Sequence, residues 1–176
     1  MTQIELTLHL KDVNLAEKRA RRGGFLFENI IKMTATGLGS GYAPVAPGTA
    51  GTLVGIPLYL ALSSLPWPFH LVVIIILALL AVYVAGEAEK IFREKDSQKI
   101  VIDEIVGLQF SMFLVSPTVP HVIAGFFLFR FFDIFKIFPA RRCERLSGGA
   151  GVVADDIVAG IYANIVLLIS VEFLHL

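Results

Sequence analysis

Charge is what this sequence most lacks. From Met33 to Gly86 there is no Asp, Glu, Lys or Arg, and His70 is the only residue in that tract able to become charged. One cysteine, Cys143, excludes an internal disulfide and any cysteine-rich metal cage. Fifteen basic and fifteen acidic residues cancel, so net charge gives no reason to expect a nucleic-acid partner. Strand-like alternation, internal repeats and low-complexity segments are missing as well, which argues against a β architecture or a solenoid. The N-terminus has no apolar core followed by a small-residue cleavage site and does not read as a secretory signal.

What is present is apolar. Hydrophobic residues make up 56% of the 176 and charged ones 17%, against about 45–50% and about 25% in an average soluble domain. The mean hydropathy is +0.75. Four uncharged blocks carry this excess: Thr49–Leu65, ended by PWP at 66–68; Phe69–Gly86; Ile105–Phe129, broken by SPTVP at 116–120; and Ile157–Val171. The second falls within the length range of a transmembrane helix. The third reads as two short helices joined by a turn, because each proline removes a backbone donor and disfavours helix before it. Its first half, Ile105–Val115, is only ~16 Å long as a helix and enters a bilayer without crossing it. The expected fold is all-α, a compact bundle with about four to five membrane-embedded helices, some short or re-entrant. A compact apolar helical domain outside the bilayer is the other architecture.

The charges fall in three regions: the N-terminal segment to Lys32, the stretch 87–104, and the stretch 130–156. The turns SSLPWPF and SPTVP have none. If each block crosses or enters the bilayer, all three charged regions share one side, and the basic residues of the two short loops mark it as cytoplasmic. Lys18, Arg19, Arg21 and Arg22 form a basic run suited to an anionic membrane surface. Residues 1–34 are accordingly set apart as a basic, amphipathic N-terminal segment, and 35–176 as a single helical domain.

Four motifs gather on that charged face. The loop Gly37–Thr49, GLGSGYAPVAPGT, offers close main-chain approach and a helix N-terminus that can bind phosphate, with Ser40, Gly48 and Thr49 as its candidate contacts. No lysine follows these glycines at P-loop spacing. The second motif, IVIDEIVG at 100–107, sets Asp103 and Glu104 where a charged loop becomes an apolar helix; a favourable helix dipole alone also explains acids there. The third, FRFFDIFK at 129–136, spaces Arg130, Asp133 and Lys136 on roughly one helical face among phenylalanines. Ionisable groups at a membrane edge are costly unless paired or useful. The fourth, GGAGVVADDIVAG at 148–160, leads through glycines to Asp155 and Asp156 at the start of an apolar helix. Together the motifs bring five carboxylates and two cations to one face. Carboxylates suit a hard divalent cation such as Mg²⁺, and Arg and Lys suit phosphate oxygens. That combination at headgroup level reads as phosphoryl chemistry on a lipid. A small membrane transporter or ion-binding protein is the alternative, and it predicts charges near the middle of spans. Glu87, Glu89 and Lys90 read as a solvated helix end, and His70 and His121 as interfacial residues away from the site.

In order and spacing, ATGLGSGYAPVAPGTAGT (35–52), IVIDEIVG, FRFFDIFK and GGAGVVADDIVAG resemble the phosphatidylglycerophosphatase A family. Two departures stand out: Ile137 follows Lys136 where the family usually has proline, and Thr52 replaces a common serine. The resemblance implies a Mg²⁺-dependent enzyme of the bacterial inner membrane, its site facing the cytoplasm, that converts phosphatidylglycerophosphate to phosphatidylglycerol and phosphate. It implies Asp103, Glu104, Asp155 and Asp156 as metal ligands and Arg130 and Lys136 as phosphate-binding groups. Asp133 is then either a further ligand or the residue that attacks or activates water, with Asp103, Glu104 and Asp156 sharing the catalytic work. Neither the route of attack nor the oligomeric state is set by these motifs.

Overall fold

The computed structural model describes residues 23–135, 137–138, 140–143 and 146–174. The basic run Lys18–Arg22 and the proposed phosphate ligand Lys136 lie outside the described residues. Everything regular among the described residues is helical. Residues 23–35 form α1, followed by a single 3₁₀ turn at Ser40–Tyr42, α2 (Pro47–Leu62), α3 (Trp67–Phe92), α4 (Ile102–Ser111), α5 (Val119–Phe135), the short α6 (Ala140–Cys143) and α7 (Gly149–Leu174).

Local chemistry explains most of these boundaries. Proline stands in the first turn of both α2 and α3, where its missing N–H costs nothing. α3 ends at Arg93, whose left-handed φ of 55° turns the chain out of the helix. α4 opens with Asp103 and Glu104 in its first turn, as the helix dipole favours. α7 departs from expectation. It begins at Gly149 rather than near Ile157, so Asp155 and Asp156 sit in its second turn and not at its start. Gly148, with φ of 66°, supplies the turn that lets the helix begin so early. α1 continues through the 34/35 boundary, and Ile31 and Ala35 join the same core as α3, α4 and α7.

α4 is the central element. Ile102 and Val106 belong to one core with Ala81, Ala85 and Ala88 of α3 and Val152 and Val153 of α7. Leu108 and Met112 belong to a second core with Tyr59, Phe129, Ala163 and Leu167. A helix buried on nearly all sides is the expected outcome of so apolar a segment. Its close approach to α7 rests on small residues: a Cβ on Gly160 would collide with the Gly107 carbonyl oxygen.

Being ten residues long, α4 stops inside the protein and leaves its last carbonyls without helical partners. Neighbouring side chains supply donors. Asn164 Nδ2 donates to the Ser111 and Phe113 carbonyls at 3.0 and 2.7 Å. Tyr59 Oη donates to the Val115 carbonyl at 2.8 Å. In the other direction, Gln109 of α4 ties the helix to α2, its Nε2 donating to the Gly55 carbonyl at 3.0 Å. His70 and His121 stand at this end, away from the acidic motifs, and are buried: His121 Nδ1 lies 3.0 Å from the Ser116 carbonyl, and the His70 ring packs edge-on against Phe113. The turn after a buried helix end needs polar partners, and these residues stand beside it.

α3 and α7 are long and apolar enough to cross a membrane. Their outward faces are large apolar side chains, among them Phe69, Ile76 and Leu79 on α3 and Ile161, Ile165 and Ile169 on α7. The prediction from this architecture concerns Asn164. Asn164→Leu strands two carbonyls at a buried helix end and is expected to lower stability by about 1–3 kcal/mol. Thermal unfolding in detergent checks it, with Ile165→Leu on the exposed face as the neutral comparison.

Candidate active site

The N-terminal turns of α2, α4 and α7 and the C-terminal turns of α5 meet at one end of the bundle. There they surround a cavity of about 750 Å³. Asp103, Glu104, Asp133, Asp155, Asp156, Arg130 and Gly48 all line it. Asp103 and Glu104 come from the first turn of α4, Arg130 and Asp133 from the last turns of α5, and the Asp155–Asp156 pair from α7.

Within the cavity the acids divide into groups. One carboxylate oxygen each from Asp103, Glu104 and Asp156 lies within 4.8 Å of the others, close enough for all three to hold one metal ion. Asp103 Oδ1, Glu104 Oε2 and Asp156 Oδ2 are buried without a hydrogen-bond partner. Asp155 faces the same cavity but is not part of this trio, as the ~100° separation of adjacent helical residues requires. Asp133 is engaged differently: its Oδ2 is 2.6 Å from Arg130 Nη1, a one-turn ion pair on α5. Arg130 Nη1 is also 3.8 Å from Glu104 Oε1, so the guanidinium bridges the two acid groups.

α4 is too short to span, and its first turn opens on the cavity. Burial pushes the Asp103 carboxyl well above the usual carboxylate range, and the Glu104 and Asp156 carboxylates push the same way. Burial raises Glu104 as well, with the Asp103 contact and the Arg130 charge opposing it. Carboxyl groups crowded like this are either protonated or held apart by a cation.

The glycine-rich loop contributes at one point. Gly48 is buried against the Glu104–Arg130 pair. A Cβ there would collide with Glu104 Oε1 and stand 3.1 Å from Arg130 Nη1. Ser40 and Thr49, also expected to contact phosphate, are not on the cavity wall; the Ser40 hydroxyl donates to the Thr36 carbonyl at 3.2 Å.

The structure adds residues that motif reading missed. Glu89, Lys95, Asp96, Ser97 and Gln98, from the end of α3 and the loop after it, form a further wall. Lys90 and Glu87 are the exposed 2.6 Å pair of a solvated helix end, as expected. Glu89 is not: its Oε1 accepts the Asp96 N–H at 2.8 Å and shapes the loop. The only sequence signal for this wall was its position immediately before IVIDE, which is weak without the fold.

Comparison with known proteins finds a matching family and named relatives. The Phosphatidylglycerophosphatase A family matches residues 33–171. Phosphatidylglycerophosphatase A of Escherichia coli (strain K12) is 37% identical over 131 residues, covering 73% of this chain and 76% of the relative. The Haemophilus influenzae protein of the same name is 39% identical over 146 residues, with coverages of 79% and 87%. A Bacteroides thetaiotaomicron protein provisionally named phosphatidylinositol-3-phosphatase is 35% identical over 147 residues, with coverages of 78% and 91%. No solved structure matches at a significant level.

Two outcomes are expected from this geometry. Gly48→Ala meets only the movable ends of Glu104 and Arg130, so the fold survives, but the displaced carboxylate and guanidinium should lower turnover by about 10²-fold. Paired measurement of thermal midpoint and initial rate checks it. The second concerns pH. Folded Asp103 keeps a proton that the unfolded chain releases above about pH 4. Stability of the metal-free protein therefore falls as pH rises from there through the raised folded-state pKa. In chelator, Asp103→Asn should unfold at a higher temperature than the parent at pH 8 and show a flatter dependence on pH.

Proposed function

The chain belongs to the phosphatidylglycerophosphatase A family and is a phosphatase of phosphoric monoesters; on that footing we propose that it hydrolyses the terminal phosphate of phosphatidylglycerophosphate, with Mg²⁺, at the cytoplasmic face of a bacterial inner membrane. The observation that carries this reading is the convergence of three mutually close carboxylates and one bridging arginine on a single cavity at the ends of apolar helices.

The donor set fits Mg²⁺. It consists of carboxylate oxygens alone, three of them buried without partners, and Mg²⁺ prefers hard oxygen ligands completed by water and substrate phosphate. Asp103, Glu104 and Asp156 would hold the ion, and Asp155 lines the same cavity. When bound, the ion neutralises charge on the phosphoryl oxygens and polarises them toward attack.

The protein's own groups do the rest. Arg130 would grip phosphate oxygens, and its ion pair with Asp133 holds the guanidinium beside the acid trio. That engagement favours a positioning role for Asp133. Gly48 keeps the α2 N-terminus close enough to cover the phosphate. In the net hydrolysis, the ester P–O bond breaks, the glycerol oxygen leaves with one proton of water, and the phosphate gains the water's oxygen and its other proton.

The membrane placement follows the same logic. α3 and α7 would cross the bilayer, α2 and α5 would lie in it beside them, and α4 would enter partway. The cavity opens at the end that bears Lys90, Arg93, Lys95 and Lys99, which the positive-inside rule assigns to the cytoplasm. The transporter alternative loses support, since the acids cluster at one end of the bundle.

Purified protein in mixed micelles should release phosphate from phosphatidylglycerophosphate with Mg²⁺ and stop when a chelator is added. Asp156→Asn should reduce that rate by at least ~10². Release that continues undiminished in chelator would remove the metal from the scheme, and no release under any divalent ion would remove the substrate.

A further inference from the structure

The cavity wall is strongly acidic. Seven carboxylates line it (Glu89, Asp96, Asp103, Glu104, Asp133, Asp155 and Asp156) against two cations among the described residues, Arg130 and Lys95. Arg130 is already bridging Asp133 and Glu104. Lys95 has no ion pair among the described residues, and its side chain lies on the α3–α4 loop rather than in the acid trio.

That loop is built to hold its shape. Arg93 and Asp96 both take left-handed φ values, 55° and 51°, which non-glycine residues adopt only where surroundings hold them. Glu89 accepts the Asp96 N–H at 2.8 Å, and the Ser97 hydroxyl donates to Glu94 Oε2 at 2.6 Å. Ser97 is buried at 2% exposure. Lys95 is therefore presented to the cavity from an anchored turn.

We infer that Lys95 is a specificity-determining residue that pairs with the second, bridging phosphate of the lipid, the phosphodiester between the two alcohols of the headgroup. This rests on the phosphatidylglycerophosphate reading above and deepens it. Such a substrate carries two anionic groups into an acidic cavity. The reacting monoester would be met by Arg130 and by the cation that the acid trio would hold, and the diester still needs a positive partner elsewhere on the cavity wall. An uncommitted ammonium fits that need as a point charge without the planar geometry of a bidentate clamp. A lipid bearing one phosphomonoester and no diester, such as phosphatidate, gains nothing from it. A phosphoinositide with a ring monoester shares the diester and would share the contact, so the inference names a chemistry common to both headgroups.

Initial rates on three lipids test it: phosphatidylglycerophosphate, phosphatidylinositol 3-phosphate and phosphatidate, in matched micelles, with the parent, Lys95→Gln and Lys95→Arg. Lys95→Gln should raise KM for whichever diester-bearing lipid the parent hydrolyses by about five- to ten-fold, with kcat little changed. Its KM for phosphatidate should stay put, and Lys95→Arg should restore most of the loss. An unchanged KM on the diester lipid, or an equal rise on phosphatidate, overturns the role of Lys95. Failure of the proposed substrate shows separately in the parent: hydrolysis of the phosphoinositide alone moves the diester contact to that lipid, and hydrolysis of phosphatidate alone overturns both readings. Thermal unfolding of Lys95→Gln should match the parent, which separates lost recognition from lost fold.

Discussion

Three carboxylates drawn within 4.8 Å of one another, two of them on buried residues, repel strongly in a medium that screens poorly. A fold that tolerates such crowding has to hold the groups against their own electrostatics. Here the restraint comes from helix ends. Asp103 and Glu104 are rooted in the first turn of α4 and Asp156 in the second turn of α7, and those two helices pack so closely that Gly160 has no room for a Cβ against Gly107. That packing fixes how far apart the backbone positions of Asp103 and Asp156 can lie. We propose that a divalent cation would relieve this crowding, turning mutual repulsion into shared attraction.

The remaining architecture serves that arrangement. α4 must be short, so that its acidic N-terminus sits at the cavity while its C-terminus stays within the protein. The carbonyls at and just beyond that C-terminus are then taken up by Asn164 and Tyr59, and the Ser111 hydroxyl bonds back to the Leu108 carbonyl. The two apolar cores meet along α4, which fixes its depth and rotation. α5 contributes the opposite charge. Phe129 is fully buried, and this anchors the adjacent Arg130 at the level of the acid trio. The arginine's bridge from Asp133 to Glu104 ties α5 to α4 across the cavity mouth.

Chemical function in this cavity depends on which groups are committed and which are free. Arg130 is oriented by a carboxylate, Gly48 yields space to the same pair, and the α3–α4 loop adds a wall that no motif announced. Glu89 shows how such a wall escapes notice. Its neighbours Glu87 and Lys90 form an ordinary exposed pair, yet one helical position away the same kind of side chain bonds a loop amide and faces the cavity. At the other end His70 and His121 are buried beside the turn that follows α4.

Much was legible from short-range features, because charge-free tracts, prolines and glycines act over a few residues. The apolar blocks near Thr49–Leu65 and Phe69–Gly86 became α2 and α3, the break at SPTVP separated α4 from α5, and Asp103 and Glu104 opened a helix. The i, i+3 spacing of Arg130 and Asp133 likewise became an ion pair. Tertiary structure alone decided that Asp156 rather than Asp155 joins the trio, that Gly48 rather than Ser40 or Thr49 meets the site, and that Lys95 shares the cavity. Those outcomes depend on the rotation and depth of helices distant in sequence, and packing between them, not any local propensity, sets both.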